Sequence, residues 1–265
     1  MKRKLLSLLL SVLLVLGCVP AAFAGYENFS GQAVYSGQFA DVPSDAWYAP
    51  NVRAAYEYGL ISGSSPTSFA PARSLTVAET IKLAANLHSV YNTGAPVAGA
   101  SVPWYQTYVD YALANGILSA PRADYTAPAS RAVFASILAA AFPADALPAK
   151  NIVEDGAIPD ISTSAWYAAA VYRLYRAGVL TGDNSGAFNP DSTIQRSEAA
   201  AIVTRMADPS LRRSVTMTGT TVLSASAVMQ KCMPAVFKLY AYDENGGLLG
   251  AGSGVLIGAD GSAVT

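Results

Sequence analysis

The sequence predicts a mainly α-helical protein in which one helix–loop–helix unit occurs three times, followed by a short β segment. Each unit opens on a tryptophan that is followed twelve residues later by a glycine: Trp47 and Gly59, Trp104 and Gly116, Trp166 and Gly178. Apolar or aromatic residues lie five, eight and nine positions after each tryptophan, which is the spacing of one face of an amphipathic helix. A glycine after such a helix supplies the left-handed conformation of a helix C-terminus without a Cβ penalty.

A second helix is expected in each unit after an aromatic residue and a proline. The expected starts lie near Thr76, Ser130 and Gln195. Thr76 and Glu79 have the spacing of a capping box, in which a hydroxyl and a carboxylate satisfy unpaired N–H groups of the first turn. The third unit retains Glu198 at the acidic position, whereas the second unit has Val133 there. The units are predicted at 39–91, 102–142 and 158–208, the second of them degenerate.

The composition restricts the class of protein. Of the 265 residues, 52% are hydrophobic and 13% are charged, against roughly 25% charged residues in an average soluble domain. A chain with this much apolar material can bury a core and is not expected to be disordered. The net charge of −1 disfavours a nucleic-acid partner, and a single histidine leaves no His-rich metal site. We expect no metal, no cofactor and no catalytic residue.

Residues 1–24 have the pattern of a secretory signal peptide. Lys2-Arg3-Lys4 precedes an apolar run that ends at Cys18, and Ala22-Phe23-Ala24 forms a small-x-small cleavage site. The run is shorter than the stretch of about 20 apolar residues that a bilayer-spanning helix needs, so no stable membrane span is expected after cleavage. Two alternatives are a retained membrane anchor and a lipoprotein signal in which Cys18 carries the lipid. In each case the chain is exported.

The repeated unit resembles the S-layer homology domain. The resemblance is carried by Phe39-Ala40-Asp41-Val42-Pro43 with Trp47-Tyr48, by Ile158-Pro159-Asp160-Ile161 with Trp166-Tyr167, and by the helix starts Thr76-Val77-Ala78-Glu79, Ser130-Arg131-Ala132-Val133 and Gln195-Arg196-Ser197-Glu198. It implies three tandem repeats in a pseudo-threefold helical spindle, with grooves between repeats that bind pyruvylated secondary cell-wall polysaccharide. It also implies a secreted protein held at the cell wall or in an S-layer, with structural roles for Asp41, Asp160 and the other motif residues.

Two arginines are predicted to contact this acidic polymer. Arg131 and Arg196 follow the cap positions of two second helices, where unpaired N–H groups and the positive end of the helix dipole favour an anion. A guanidinium can bind a carboxylate through two parallel hydrogen bonds. The cap residues Ser130, Gln195 and Thr76 are predicted to assist. The alternative is that each arginine is a surface residue that pairs with a nearby acid.

Two further expectations concern the same grooves. Val77 stands where the other two units have an arginine, so the grooves are expected to be unequal. The three tryptophans keep a fixed register with the apolar helix face. They are therefore predicted to pack in the core rather than to stack on sugars.

The C-terminal part differs in character from the repeats. Residues 209–226 are rich in Ser and Thr and are predicted to form a linker. Residues 227–265 are predicted to form an incomplete antiparallel β segment with a hairpin turn at Asp243-Glu244-Asn245-Gly246-Gly247. Through Gly252-Ser253-Gly254, Asp260-Gly261 and Val264-Thr265 this segment resembles the opening of trypsin-like serine proteases of the high-temperature-requirement class. The chain holds no Ser-His-Asp triad that the resemblance could assign.

The function predicted from the sequence is therefore non-covalent anchoring of an exported protein to the bacterial cell wall. One alternative is that the chain is the N-terminal fragment of a wall-anchored secreted trypsin-like protease, whose catalytic residues are absent from it. Another is a helical repeat scaffold that binds a different protein.

Overall fold

The structure is a computed structural model that describes residues 25–215, 236–256 and 263–264. The chain divides into two compact units, one within 1–218 and the other within 219–265. The predicted signal peptide, Cys18 with its proposed lipid, and most of the predicted linker lie outside the described residues.

The first unit is built from helices, as predicted. Its α-helices are α1 Ala49–Glu57, α2 Val77–Thr93, α3 Gln106–Ala114, α4 Arg131–Ala139, α5 Ala168–Arg176 and α6 Arg196–Ala207, with short 3-10 helices at Tyr26–Phe29, Ala144–Ala146 and Pro209–Leu211. The second helices begin directly after Thr76, Ser130 and Gln195. Helix α2 runs two residues past the predicted end of the first repeat at 91, because the left-handed residue that ends it is Gly94, with a φ of 74°. Within the described residues, no helix is both long and apolar enough to cross a membrane.

The three first helices, α1, α3 and α5, end in the same way. Gly59, Gly116 and Gly178 have φ angles of 69°, 70° and 75°. At the end of α1 the Gly59 amide donates to the Tyr56 carbonyl and the Leu60 amide to the Ala55 carbonyl, at 2.9 and 3.0 Å. Equivalent pairs of hydrogen bonds follow α3 and α5. This is the Schellman arrangement, and it sends the chain towards the second helix of each unit.

A ring of backbone hydrogen bonds joins the three helix–loop–helix units around a pseudo-threefold axis. The Leu75 amide donates to the Ile194 carbonyl at 2.9 Å, the Ile194 amide to the Ala129 carbonyl at 3.1 Å, and the Ala129 amide to the Leu75 carbonyl at 2.8 Å. All three side chains are buried. Because each residue directly precedes the cap of a second helix, the ring fixes α2, α4 and α6 relative to one another.

Each first helix packs against the second helix of the preceding unit. Helix α3 lies on α2, α5 lies on α4, and α1 closes the circle on α6. Val52, Val109 and Val171 face these contacts and are completely buried, as the apolar periodicity predicted. No unit covers its own apolar face alone, so the spindle depends on all three units.

The second compact unit is a small antiparallel sheet. Its strands are β1 Val236–Tyr242, β2 Leu248–Leu256 and β3 Ala263–Val264, in the order β1-β2-β3. A Cβ at Gly254 would lie 2.4 Å from the Phe237 ring and 2.8 Å from the Val264 carbonyl, so this position accepts only glycine. Val236, Leu239 and Val255 remain about half exposed. The sheet therefore leaves apolar side chains in water, as expected of an incomplete β segment.

Candidate functional site

The site is built on two loops that precede second helices. Asp41 accepts hydrogen bonds from the Phe69 and Ala70 amides, both at 2.7 Å, and from the Ser68 hydroxyl. Asp160 accepts equivalent bonds from the Phe188 and Asn189 amides at 2.8 and 2.6 Å. Each aspartate thereby holds its loop in one conformation and fixes the direction of the phenylalanine carbonyl.

Arg196 binds one of these loops from the neighbouring unit. Its Nε donates to the Phe69 carbonyl and its Nη2 to the Ser62 carbonyl, both at 2.7 Å. Its guanidinium carbon lies 4.7 Å from the centre of the Phe69 ring, and the residue is 7% exposed. Arg196 therefore joins the third unit to the first, rather than standing free as an anion receptor.

Arg131 makes the equivalent connection between the second and third units. Its Nε donates to the Phe188 carbonyl at 2.7 Å, and its Nη1 forms an ion pair with Glu198 at 2.8 Å. The alternative considered from the sequence, an arginine paired with a nearby acid, describes Arg131 in part, except that its side chain is mostly buried.

The expectation that the second helices offer free N–H groups to an anion is wrong. The first amide of each second helix donates to a loop carbonyl of the neighbouring unit: Val77 to Ala127, Arg131 to Ser192 and Arg196 to Arg73. The second amides do the same, and Glu79 and Val133 donate to the cap hydroxyls of Thr76 and Ser130. The Gln195 amide donates to Glu198. The cause is the threefold packing, which inserts a neighbouring loop at each helix start.

The prediction that the tryptophans pack in the core is also wrong. Trp47, Trp104 and Trp166 are 63%, 49% and 66% exposed. Each ring stands edge-on to the tyrosine that follows it, with centroids 5.3 to 5.7 Å apart. Because each helix begins two residues after its tryptophan, the helical periodicity does not determine where the tryptophan points.

Trp104 lines a cavity that we call the Trp104 groove. It has a volume of about 530 Å³. Its lining residues come from all three units: 60–64, Arg73, Leu75, Glu79, Lys82 and Leu83 from the first, Trp104 from the second and Arg196 from the third. Three cations therefore face one carboxylate, so the groove is electropositive.

The charged groups of the Trp104 groove form two sets, which are the Arg73–Glu79 ion pair and the Lys82 ammonium. Arg73 binds Glu79 with both Nη atoms, at 2.5 and 3.1 Å. Burial raises the pKa of Glu79, but Arg73, the Thr76 amide and Arg196 outweigh it and bring the pKa below the ordinary value. Lys82 lies one helical turn further along, with its Nζ 5.9 Å from the Trp104 ring centre and 5.4 Å from that of Tyr108.

Lys82 is the cation that is most available to a ligand. Within the described residues its Nζ forms neither a hydrogen bond nor an ion pair. Burial lowers its pKa, Glu79 partly opposes this, and Arg196 adds to it. A partly desolvated ammonium beside two aromatic rings gains charge stabilisation when an anion enters.

A second groove repeats the arrangement of an arginine, a glutamate and a tryptophan from three different units, which we call the frame. We call this second groove the Trp47 groove. It has a volume of about 450 Å³ and includes Trp47, Arg131, Leu180, Glu198 and Arg205. Ala201 stands at the position of Lys82, and Ser192 at that of Arg73. Arg205 donates to the Val179 carbonyl at 3.1 Å, and burial, with Arg213 nearby, lowers its pKa.

The equivalent positions around Trp166 carry no charge. Val77 replaces the arginine, Val133 the glutamate and Ser136 the lysine. The difference between the grooves that Val77 predicted therefore extends to the glutamate and lysine positions as well.

The sequence reasoning missed Lys82 and Arg73. The available signal was local, since Lys82 lies three residues after Glu79 and thus on the same helix face. Within the described part of the chain, no group of three or more His, Cys, Asp or Glu side chains is arranged to hold a metal ion.

Comparison with known proteins identifies two of the units. The family model for the S-layer homology domain matches residues 38–81 and 157–200. A surface-layer 125 kDa protein of Lysinibacillus sphaericus is 36% identical over 90 residues, which are 32% of this chain and 8% of that protein. The chain thus spans less than a tenth of this relative's length.

The chain therefore contains S-layer homology domains at these two stretches. Together the two findings indicate a location at the cell surface or cell wall. The matched stretches include Asp41, Trp47, Glu79, Trp166, Arg196 and Glu198. They do not include 102–142 or 227–265.

Proposed function

We propose that this chain anchors an exported protein non-covalently to the bacterial cell wall, by binding an acidic secondary cell-wall polysaccharide that carries pyruvyl ketals. The observation that carries the proposal is the Trp104 groove, where an exposed indole stands beside the unpaired ammonium of Lys82. Carbohydrate-binding sites need a flat apolar surface for a sugar face, and an acidic sugar needs a cation in addition. The groove supplies both.

The two cations of the first unit have different roles in this proposal. Lys82 contacts the ketal carboxylate, because its Nζ forms no ion pair with another of the described residues. Arg73 is held by Glu79 and contributes mainly to the positive potential. A hydrogen bond between charged groups contributes about 1.5–3 kcal/mol, which is about ten- to a hundredfold in affinity.

Arg131 and Arg196 act first as positioning residues. Their bonds to the Phe188 and Phe69 carbonyls hold the groove walls. Both also line the grooves, so their remaining N–H donors are proposed as secondary contacts to the polymer. Thr76, Ser130 and Gln195 support the same loops as helix caps.

The middle unit is proposed to be a third, degenerate repeat of the same family. Its supporting observations are the shared Schellman ending at Gly116, the cap at Ser130 and the place of Ala129 in the hydrogen-bonded ring. Its charge-free frame around Trp166 suits it to complete the spindle without binding an anion.

Binding to purified wall sacculi tests the proposal. The exported chain should sediment with sacculi, and removal of pyruvate from the polymer should release it. Lys82→Gln should weaken binding at least tenfold. Arg122→Gln is the matched control, since it removes an exposed cation that lines neither groove. Equal binding by Lys82→Gln and Arg122→Gln would contradict the assignment of the Trp104 groove.

A second proposal concerns the tail, as the start of a trypsin-like domain in a longer protein. It is favoured by the three antiparallel strands and by the close approach of Phe237 and Val264 to Gly254, which explains one glycine of the Gly-Ser-Gly pattern. Sequencing of the DNA beyond codon 265 tests it. An in-frame Asn-x-His-Val continuation would support a protease parent, and a stop codon would oppose it.

A further inference from the structure

Residues 25–33, which we call the N-terminal strap, contact the first two units and Arg212, which follows the third unit. The Tyr26 hydroxyl donates to the Ala146 carbonyl and accepts from Arg212 at 2.7 Å. Phe29 is buried against Phe142. The Gln32 and Ala33 amides both donate to the Glu57 carbonyl, at the end of α1. The strap therefore connects the end of α1 with the segment after α4 and with Arg212, which follows the third unit.

The strap begins at a backbone nitrogen with an unusual environment. Gly25 is buried, and its nitrogen donates to the Tyr91 carbonyl at 2.9 Å. Tyr91 lies in the last turn of α2, where the helix dipole is negative and carbonyls lack helical partners. The Asn28 side-chain amide donates to the same carbonyl at 2.8 Å.

A carboxylate also lies against Gly25. A Cβ on this residue would stand 2.2 Å from both carboxylate oxygens of Glu27. The absence of a side chain at residue 25 is therefore what lets the Glu27 carboxylate approach the backbone. The C-terminus of α2 and a carboxylate thus both lie close to residue 25, an environment that favours a positive charge there.

We propose that Gly25 is the first residue of the mature protein and that its α-ammonium group is a structural cation, bound by the Tyr91 carbonyl and the Glu27 carboxylate. A signal peptidase would add water across the Ala24–Gly25 amide, leaving a carboxylate on Ala24 and an amine on Gly25 that is protonated at neutral pH. The cleavage site is the one that Ala22-Phe23-Ala24 predicts. This proposal is independent of what the grooves bind.

The consequence is that cleavage of the signal peptide strengthens the binding of the strap to the helices. Before cleavage, residue 25 offers one neutral N–H group to Tyr91. After cleavage, the same atom carries a charge and additional donors, so the strap is held more firmly in the exported chain than in its precursor.

Mass spectrometry of the exported chain tests the first half of the proposal. The measured mass should be that of a chain that begins at Gly25. A different first residue would overturn the proposal.

Thermal unfolding tests the second half. The chain that begins at Gly25 is compared with the same chain extended by one glycine, which moves the ammonium away. At pH 6.5 the extension should lower Tm by about 2–4 °C. The ammonium contributes below its unfolded pKa of about 7.7–8.0, and the contribution is lost as the pH rises through the higher folded value. The difference should therefore vanish near pH 10.

The charged and titratable groups around the strap require a matched control. Tyr26, Tyr91, Asp145 and Arg212 face this region, and all four are retained in both chains. Glu27→Gln should remove most of the Tm difference and lower the pKa of the Gly25 amine, measured by ¹⁵N NMR. Glu154→Gln, an exposed acid elsewhere, should do neither. An unchanged pKa in Glu27→Gln, or an extension without effect at pH 6.5, would contradict the ion pair.

Discussion

The Trp104 and Trp47 grooves share one frame and differ in the charges placed on it. In both, an arginine of the preceding unit holds a phenylalanine carbonyl, a glutamate caps the second helix, and a tryptophan of the following unit forms the rim. Only the Trp104 groove adds Lys82 and Arg73. The comparison separates residues that build a groove from residues that would hold an acidic ligand in it.

The largest expected effect is on the frame itself. Arg196→Ala leaves the buried Phe69 carbonyl and the more exposed Ser62 carbonyl without their donors, so the free energy of unfolding should fall by about 3 kcal/mol. Arg131→Ala should cost somewhat less, because Glu198 is partly exposed and can be rehydrated. Urea unfolding measures both, with the exposed Arg53→Ala as control. Equal stability of Arg196→Ala and Arg53→Ala would show that the guanidinium does not support the loop.

An exchange of charge between the grooves should alter wall binding. Lys82→Ala removes the available cation, and Ala201→Lys places one at the equivalent position of the Trp47 groove. The first change should weaken binding to sacculi by about 2 kcal/mol, and the second should restore part of it in the double variant. Binding isotherms at low and high salt measure this. A double variant as weak as Lys82→Ala would show that the two frames are not interchangeable.

Substitution of the three rim tryptophans should weaken wall binding in the order of the charge in their grooves. Each effect should be smaller than that of losing Lys82. Trp104→Ala removes an aromatic surface beside Lys82, so it should weaken binding by about 1 kcal/mol. Trp47→Ala should weaken it less, and Trp166→Ala should have no effect on binding. Tryptophan fluorescence titration with the purified polymer tests this order. A dominant effect of Trp166→Ala would instead place the ligand at the uncharged frame.

The smallest expected effect is the acid sensitivity of the Trp104 groove. The folded pKa of Glu79 lies below its ordinary value, so its ionised form contributes stability above an unfolded pKa of about 4.3, and this is lost as the pH falls through the folded value. Glu79→Gln should reduce the decline in unfolding free energy between pH 5 and pH 3 by about 1 kcal/mol. Urea unfolding across this range measures it. An identical decline in both proteins would contradict the ion-pair network.

The sequence by itself determined the helices, their ends and the repeat. The helical periodicity of apolar residues and the glycine after each first helix are local properties. Val52, Gly59 and Thr76 take the roles that their spacing predicted. The strands of the tail were equally readable from a hairpin turn flanked by apolar residues.

Only the tertiary structure decided what the motif residues face. Whether Trp104 is buried, and whether the amide of Val77 is free, depends on a loop or helix from another unit. The same holds for Arg196, which follows a helix cap in sequence but is buried against the first unit. Spacing along the chain specifies the neighbours within one element. The ring of Leu75, Ala129 and Ile194 instead brings together residues more than fifty positions apart, and no local pattern records which polar group each of them will meet.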